Sequence, residues 1–127
     1  MTDTSYVPGV CNIGPEETAM RRRVGWGGLS AAAVYLLLLI MLRPGVIWWA
    51  GLVVPSAVGA AGFIQAAMHF CAAFGLRHVF NFTPAVGSVA PVLARELWAA
   101  DRRRALLILA LSLASGIVIT LAAMLLR

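Results

Sequence analysis

Residues 105–126 read ALLILALSLASGIVITLAAMLL, twenty-two positions without a charged side chain. Arg102, Arg103 and Arg104 precede this stretch, and Arg127 follows it. At a rise of about 1.5 Å per residue, a helix of this length covers a hydrocarbon core of about 30 Å. The stretch therefore predicts a membrane-spanning helix, and the rest of the chain is interpreted from it.

The composition of the whole chain agrees with this prediction. Of the 127 residues, 61% are hydrophobic and 12% are charged, and the mean hydropathy is +0.90. Soluble domains average roughly 45–50% apolar and about 25% charged residues. The arginines behind the net charge of +5 cluster at the ends of apolar runs, which is typical of bilayer flanks and not of a nucleic-acid-binding face. The composition excludes a soluble domain, and the expected environment is the lipid bilayer.

Two further apolar runs predict two more spans. Residues 24–42 form a run of nineteen positions that ends at the helix breakers of 43–45. Residues 46–76 are too many for one upright span, so we expect a kink near Pro55, a membrane portion at about 46–68, and a helix end that emerges beyond it. The prediction is an all-α integral membrane protein with three transmembrane helices.

The segments outside the spans predict the orientation. Residues 1–23 are a polar N-terminal segment, and residues 79–104 are a mixed segment in which an amphipathic interfacial helix is expected near 88–101. With the N-terminus in the cytoplasm, eight arginines fall inside and two fall outside. Because cytoplasmic loops carry an excess of cations, this ratio predicts a cytoplasmic N-terminus and an outer C-terminus in the inner (plasma) membrane of a cell.

Small residues recur at four-residue spacing in every span. Inside lipid, helices associate through close packing at such positions. Two interpretations stay open: packing among the three spans, or self-association and docking to a larger membrane complex. The candidate packing residues are Gly28, Ala32, Gly62, Ala66, Ser112, Gly116 and Thr120.

Polar side chains near the end of the second span are a second group of candidates. Gln65 and His69 are four apart and share a helical face, where they form either a functional polar pair or ordinary interhelical hydrogen bonds. Gln65, His69 and the hydroxyl groups of the third span are also the only candidates to line a polar transport path. His69 and His78 lie nine apart, on opposite faces of one helix, so one helix cannot supply both axial ligands of a haem. Haem is therefore not expected.

Cys11 and Cys71 lie 60 positions apart, yet the orientation places both at the cytoplasmic face. They are either two unrelated cysteines or a thiol site with Arg77 and His78 nearby. Since the cytoplasm is reducing, such a pair would relay sulfur, sense redox state or hold a soft metal and would not form a permanent disulfide. No other cofactor is expected.

A family resemblance rests on short motifs around the first two spans. Residues 11–17 read CNIGPEE, with arginines at 21–23 and a glycine at 25, and the second run ends with Phe-Cys at 70–71 and Phe-Gly-Leu at 74–76. This pattern resembles a small bacterial inner-membrane domain that occurs alone or fused behind rhodanese (sulfurtransferase) domains. The resemblance implies a cytoplasmic N-terminus and a sulfur-related context, but no reaction.

This chain departs from the family pattern at Ala72, where the family has proline, and in its third span. It also contains no P-loop, GxSxG, HExxH or dinucleotide-binding fingerprint, so catalysis by the chain alone is not expected. Three function classes remain from the sequence: an accessory or scaffolding membrane subunit, a cytoplasmic-face thiol site, and a small transporter or channel subunit.

Overall fold

The computed structural model describes residues 6–127, so positions 1–5 of the predicted N-terminal segment lie outside the described residues. About 70% of the chain is helical. The elements are α1 (Pro15–Leu42), α2 (Val46–Ala50), α3 (Val53–Met68), α4 (Ala72–Arg77), β1 (Val79–Phe80), β2 (Ala90–Pro91), a 3₁₀ turn (Arg95–Leu97) and α5 (Trp98–Met124).

Three helical segments are long and apolar enough to cross a membrane. They are Pro15–Leu42, Val46–Met68 and Arg95–Met124. The prediction of a mostly helical chain with three candidate membrane spans is confirmed. In the structure α3 lies between α1 and α5 and packs against both, whereas α1 and α5 share no extended contact with each other. The second span is therefore the central helix of the three.

Glycines set the close approach of α1 to α3. A Cβ atom added at Gly28 would lie 2.4 Å from the backbone nitrogen of Gly59, and one added at Gly62 would lie 2.3 Å from the nitrogen of Gly25. Gly116 of α5 meets the other side of α3 in the same way, at Ala57. The backbones touch because no side chain separates them.

All seven candidate packing residues are buried within the chain. Gly28, Gly62 and Gly116 lie at the helix contacts just described. The other four are equally enclosed and are Ala32, Ala66, Ser112 and Thr120. These small-residue faces are consequently occupied by neighbouring helices of the same chain.

The interruption of the second span lies one turn before the expected position. Helix α2 ends at Ala50, and Gly51–Leu52 form a turn before α3 starts at Val53. Proline at position 55 has no N–H to donate to the carbonyl of Gly51, four residues earlier. The N–H of Val54 donates to that carbonyl instead, at 3.2 Å, which moves the break ahead of Pro55.

The second span also ends earlier than the continuous helix expected over 46–76. Helix α3 stops at Met68, His69 adopts the left-handed conformation (φ 52°), and a separate short helix, α4, begins at Ala72. The break is held by side chains. The side-chain oxygen of Gln65, Oε1, accepts from the N–H of Ala72 at 2.9 Å. This bond satisfies a backbone group that a continuous helix would have paired internally.

The amphipathic helix expected near 88–101 is not found in the structure. Residues 79–80 pair antiparallel with residues 90–91 in a small hairpin, and helical structure starts only at Arg95. Val92 is 5% exposed while its neighbour Leu93 is 86% exposed, so these two residues do not share a buried face. Proline within β2 and a positive φ at Gly87 are incompatible with a continuous helix through this segment.

Candidate functional site

The polar residues of the chain gather where α1 begins, α3 ends and α5 begins. We name the surrounding segments, residues 6–14 and 69–97, the polar cap. Four polar or charged side chains at this end are at most 1% exposed: Asn12, Glu17, Asn81 and Asp101. Buried polar groups are costly unless they are hydrogen-bonded, so their partners define the site.

Asn12 clamps the backbone of Cys71. Its side-chain oxygen accepts from the N–H of Cys71 at 2.7 Å, and its Nδ2 donates to the carbonyl of Cys71 at 3.2 Å. The backbone of Asn12 also donates to the carbonyl of His69 and accepts from the N–H of Asn81. One residue of the N-terminal segment therefore ties the break after α3 to the hairpin.

Glu17, in the first turns of α1, reaches the same hairpin. Its Oε2 accepts from Nδ2 of Asn81 at 2.8 Å and from the N–H of Gly87 at 2.6 Å. Its Oε1 lies 3.2 Å from Nη1 of Arg21, an ion pair one helical turn apart. Through Oε2 the carboxylate anchors the hairpin to α1, while the buried Oε1 accepts no hydrogen bond and is compensated by the charge of Arg21 alone.

Arg21 connects this carboxylate to Cys71. Its Nη2 donates to Cys71 Sγ at 2.9 Å, and its guanidinium carbon lies 5.5 Å from the centre of the Phe74 ring. The Cys71 residue is 2% exposed. We name Asn12, Glu17, Arg21, Cys71 and Asn81 the polar hub. Its geometry holds one thiol rigidly, in contact with a cation and shielded from solvent.

Cys11 lies beside the hub, next to Asn12 in the chain. Its Sγ donates to the carbonyl of Ile13 at 3.6 Å, and the residue is partly exposed. Cys11 and Cys71 are not joined by a disulfide. The structure brings the N-terminal segment that carries Cys11 into direct hydrogen bonding with the backbone of Cys71, through Asn12.

A second anchor holds the N-terminal segment to α5. The Asp101 carboxylate accepts from the Tyr6 hydroxyl through Oδ2 and from the N–H of Gly9, at 2.8 Å, through Oδ1. Burial and then the hydrogen bond to Asp101 raise the pKa of the Tyr6 hydroxyl above its usual value. Folding therefore favours the neutral phenol at this position.

The two cations predicted beside Cys71 lie elsewhere in the cap. Arg77 is exposed at the end of α4. His78 stacks on the Trp98 ring, with centroids 4.1 Å apart and planes within 5°. The cation that contacts the Cys71 sulfur is Arg21, which belongs to the bilayer-flanking arginines and to the motif of the family resemblance.

The polar groups predicted inside the spans are engaged locally. The side-chain nitrogen of Gln65 donates to the carbonyl of Ala61, and its side-chain oxygen accepts from the N–H of Ala72, the first residue of α4. His69 is exposed, with Nδ1 3.4 Å from the hydroxyl of Thr18. The hydroxyls of the third span each donate to the carbonyl four residues earlier, and they belong to Ser112, Ser115 and Thr120.

Cys71 is the only hub residue among the site candidates predicted from the sequence. The opposite charges of Glu17 and Arg21, four positions apart on one helical face, were a signal for their ion pair. Asn12, Glu17, Arg21 and Cys71 all lie in the motifs that carry the family resemblance, but those motifs do not indicate which residues pair. The partners of Asn12 and Asn81 lie about sixty positions away in the chain. Asp101 was likewise interpreted as part of the interfacial segment.

Comparison of the chain with protein-family models, with curated proteins and with solved structures finds no match. The likeness to the rhodanese-linked membrane domain therefore rests on the quoted motifs alone. Within residues 6–127, no three side chains of His, Cys, Asp or Glu come together as a set that could hold a metal ion.

Proposed function

We propose that this chain is a small accessory or scaffolding protein of a bacterial inner membrane, which associates with itself or with a larger membrane complex. The observation that carries the proposal is the small share of each span that its own chain covers. Only 22%, 28% and 28% of the three apolar windows are buried inside the protein. Most of each span is therefore available to contact lipid or other proteins.

The free faces include a surface suited to close helix approach. The buried small residues already contact neighbouring helices of the chain, but Gly27, Ser30, Ala31 and Val34 are all exposed. We name these four residues the outer face of α1. A Cβ atom at Gly27 would meet nothing within 4 Å. Helices in membranes associate at such small, unfilled positions, so we place the partner contact here.

The proposed orientation puts the polar cap in the cytoplasm. Its support is the arginine count: eight arginines lie on the cap side, and Arg43 and Arg127 lie at the other end. The cytoplasmic arginines are Arg21, Arg22, Arg23, Arg77, Arg95, Arg102, Arg103 and Arg104.

Native mass spectrometry of the full chain, released gently from its own membrane, tests the proposal. We expect a particle heavier than one chain. Gly27→Leu should dissociate it while the helical content stays unchanged, because the added side chain enters open space. Ala122→Leu adds one carbon atom less, at an exposed position of α5, and should leave the particle intact. A strictly monomeric wild-type particle would contradict the scaffolding function.

A second candidate function is a cytoplasmic-face thiol site that uses Cys11 and Cys71 for sulfur or redox chemistry. One contact favours it, the 2.9 Å approach of Arg21 Nη2 to Cys71 Sγ. A guanidinium stabilises negative charge that develops on sulfur, whereas it repels a metal cation.

The test is mild oxidation of wild type, Cys11→Ser and Cys71→Ser, followed by non-reducing peptide mapping. We expect a Cys11–Cys71 cross-link in wild type and its loss in both variants. Absence of the cross-link from wild type would assign both cysteines to packing. Within residues 6–127 no contact favours transport, since the span-three hydroxyls are bonded to their own helix.

A further inference from the structure

A shallow cavity of about 350 Å³, open to the outside, lies between the N-terminal segment and the first turns of α5. An open cavity of this kind admits one end of a larger molecule and does not enclose a whole small ligand. Its wall is partly backbone and partly cationic side chain. The residues that line it are Pro8, Gly9, Ala100, Arg103, Arg104 and Leu107.

The two arginines of this cavity have no anionic partner among residues 6–127. The ion pair that the structure contains in this range joins Arg21 to Glu17. Asp101, on the same helix, directs its carboxylate to the Tyr6 hydroxyl and the Gly9 N–H. Nε of Arg104 is buried and has no hydrogen-bond acceptor within the described residues. Within the described residues, therefore, no carboxylate contacts Arg103 or Arg104, and their guanidinium groups are available to an external anion.

The cavity lies at the level where α5 changes from charged to apolar. Arg102–Arg104 precede a run without charge, and the next two leucines face outward, with Leu106 52% and Leu107 44% exposed. An amphiphile bound here would place its polar group against the arginines and its apolar chain along the leucines. Basic pockets at this depth of a membrane protein bind anionic headgroups.

We propose that this cavity binds the phosphate of an anionic phospholipid, with Arg103 and Arg104 as its ligands. A guanidinium donates two parallel N–H groups to phosphate oxygens, which matches the phosphodiester of a lipid. A zwitterionic lipid offers the same phosphate, but its ammonium group opposes the positive charge of the site. This binding site goes beyond the scaffolding function and does not require a protein partner.

The test is lipid retention by the full chain, measured by native mass spectrometry after exchange into phosphatidylglycerol, phosphatidylcholine or lipid-free micelles with inorganic phosphate. We expect wild type to retain one phosphatidylglycerol. The double variant Arg103→Gln/Arg104→Gln should bind it about thirtyfold more weakly, the order expected when two phosphate-facing arginines are removed. The matched control is Arg95→Gln/Arg102→Gln, which removes the same charge from exposed positions outside the cavity.

Three results would overturn the proposal. Equal losses in the two double variants would show general attraction to anionic lipid and no specific cavity. Equal retention of phosphatidylcholine would show that charge does not select the ligand. Stoichiometric inorganic phosphate with no retained lipid would assign the site to a free anion. Circular dichroism of each variant confirms that the helices are intact, and a monomeric particle that retains the lipid would separate this site from the scaffolding function.

Discussion

At the scale of single residues, adjacent glycines of α1 have opposite surroundings. Gly28 touches the backbone of Gly59, whereas Gly27 faces open space. A large side chain introduced at Gly28 enters the contact between α1 and α3, whereas the same side chain at Gly27 lies outside it. Stability measurements on the two variants therefore separate helix packing from simple hydrophobic gain.

We expect Gly28→Leu to lower the free energy of unfolding by about 1–3 kcal/mol or more, because the new side chain must force α1 away from α3. In the detergent-dispersed monomer, Gly27→Leu should leave it unchanged or raise it by up to about 1 kcal/mol, because the new side chain enters open space and glycine is a weak helix former. Thermal unfolding in detergent, followed by circular dichroism, measures both. Similar losses in the two variants would mean that α1 and α3 are not held together through Gly28.

The contact between Tyr6 and Asp101 predicts a pH dependence. The pKa of Tyr6 is raised in the folded chain, so the hydroxyl is bound as the neutral phenol. Its contribution to stability is complete below the unfolded pKa of about 10 and is lost as pH rises through the folded value. Between pH 9 and about pH 11.5, the thermal unfolding midpoint of wild type should fall by more than that of Tyr6→Phe. Identical slopes would exclude this linkage.

At the scale of elements, the end of α3 depends on a residue in an unfavourable conformation. His69 has φ 52°, a region that glycine adopts without steric cost. His69→Gly and His69→Ala both lose the contact with Thr18, so the difference between them isolates the backbone. We expect the glycine variant to be more stable by about 1 kcal/mol in chemical unfolding. An alanine variant of equal stability would imply that the break is imposed by tertiary contacts alone.

The elements also show how far the sequence could predict this molecule. The three spans were predictable because hydropathy is a local property of residues such as 105–126. The break at His69 was not, because it depends on Gln65 meeting Ala72 and on Asn12 meeting Cys71. The hub escaped prediction for the same reason: its hydrogen bonds join residues that are distant in the chain, and no local periodicity encodes such partners.

At the scale of the whole molecule, the orientation can be tested by labelling. In a background without native cysteines, Gly45→Cys lies in the turn after α1 and Arg102→Cys lies beside the polar cap; both positions are exposed. A membrane-impermeant maleimide should label the first in intact cells and the second only after permeabilisation, because the excess of arginine marks the cytoplasmic side. Labelling of position 102 in intact cells would reverse the proposed topology.

The buried carboxylate of Glu17 has a consequence for the order of synthesis. Two of its hydrogen-bond donors belong to Asn81 and Gly87, which are 64 and 70 positions later in the chain. At about 5–20 residues per second, a ribosome takes roughly 3–14 s to reach them. During that interval Arg21, already present one turn along α1, is the partner at hand. The ion pair thus neutralises the Glu17 carboxylate at the start of the first span until the hairpin that encloses this carboxylate has been synthesised.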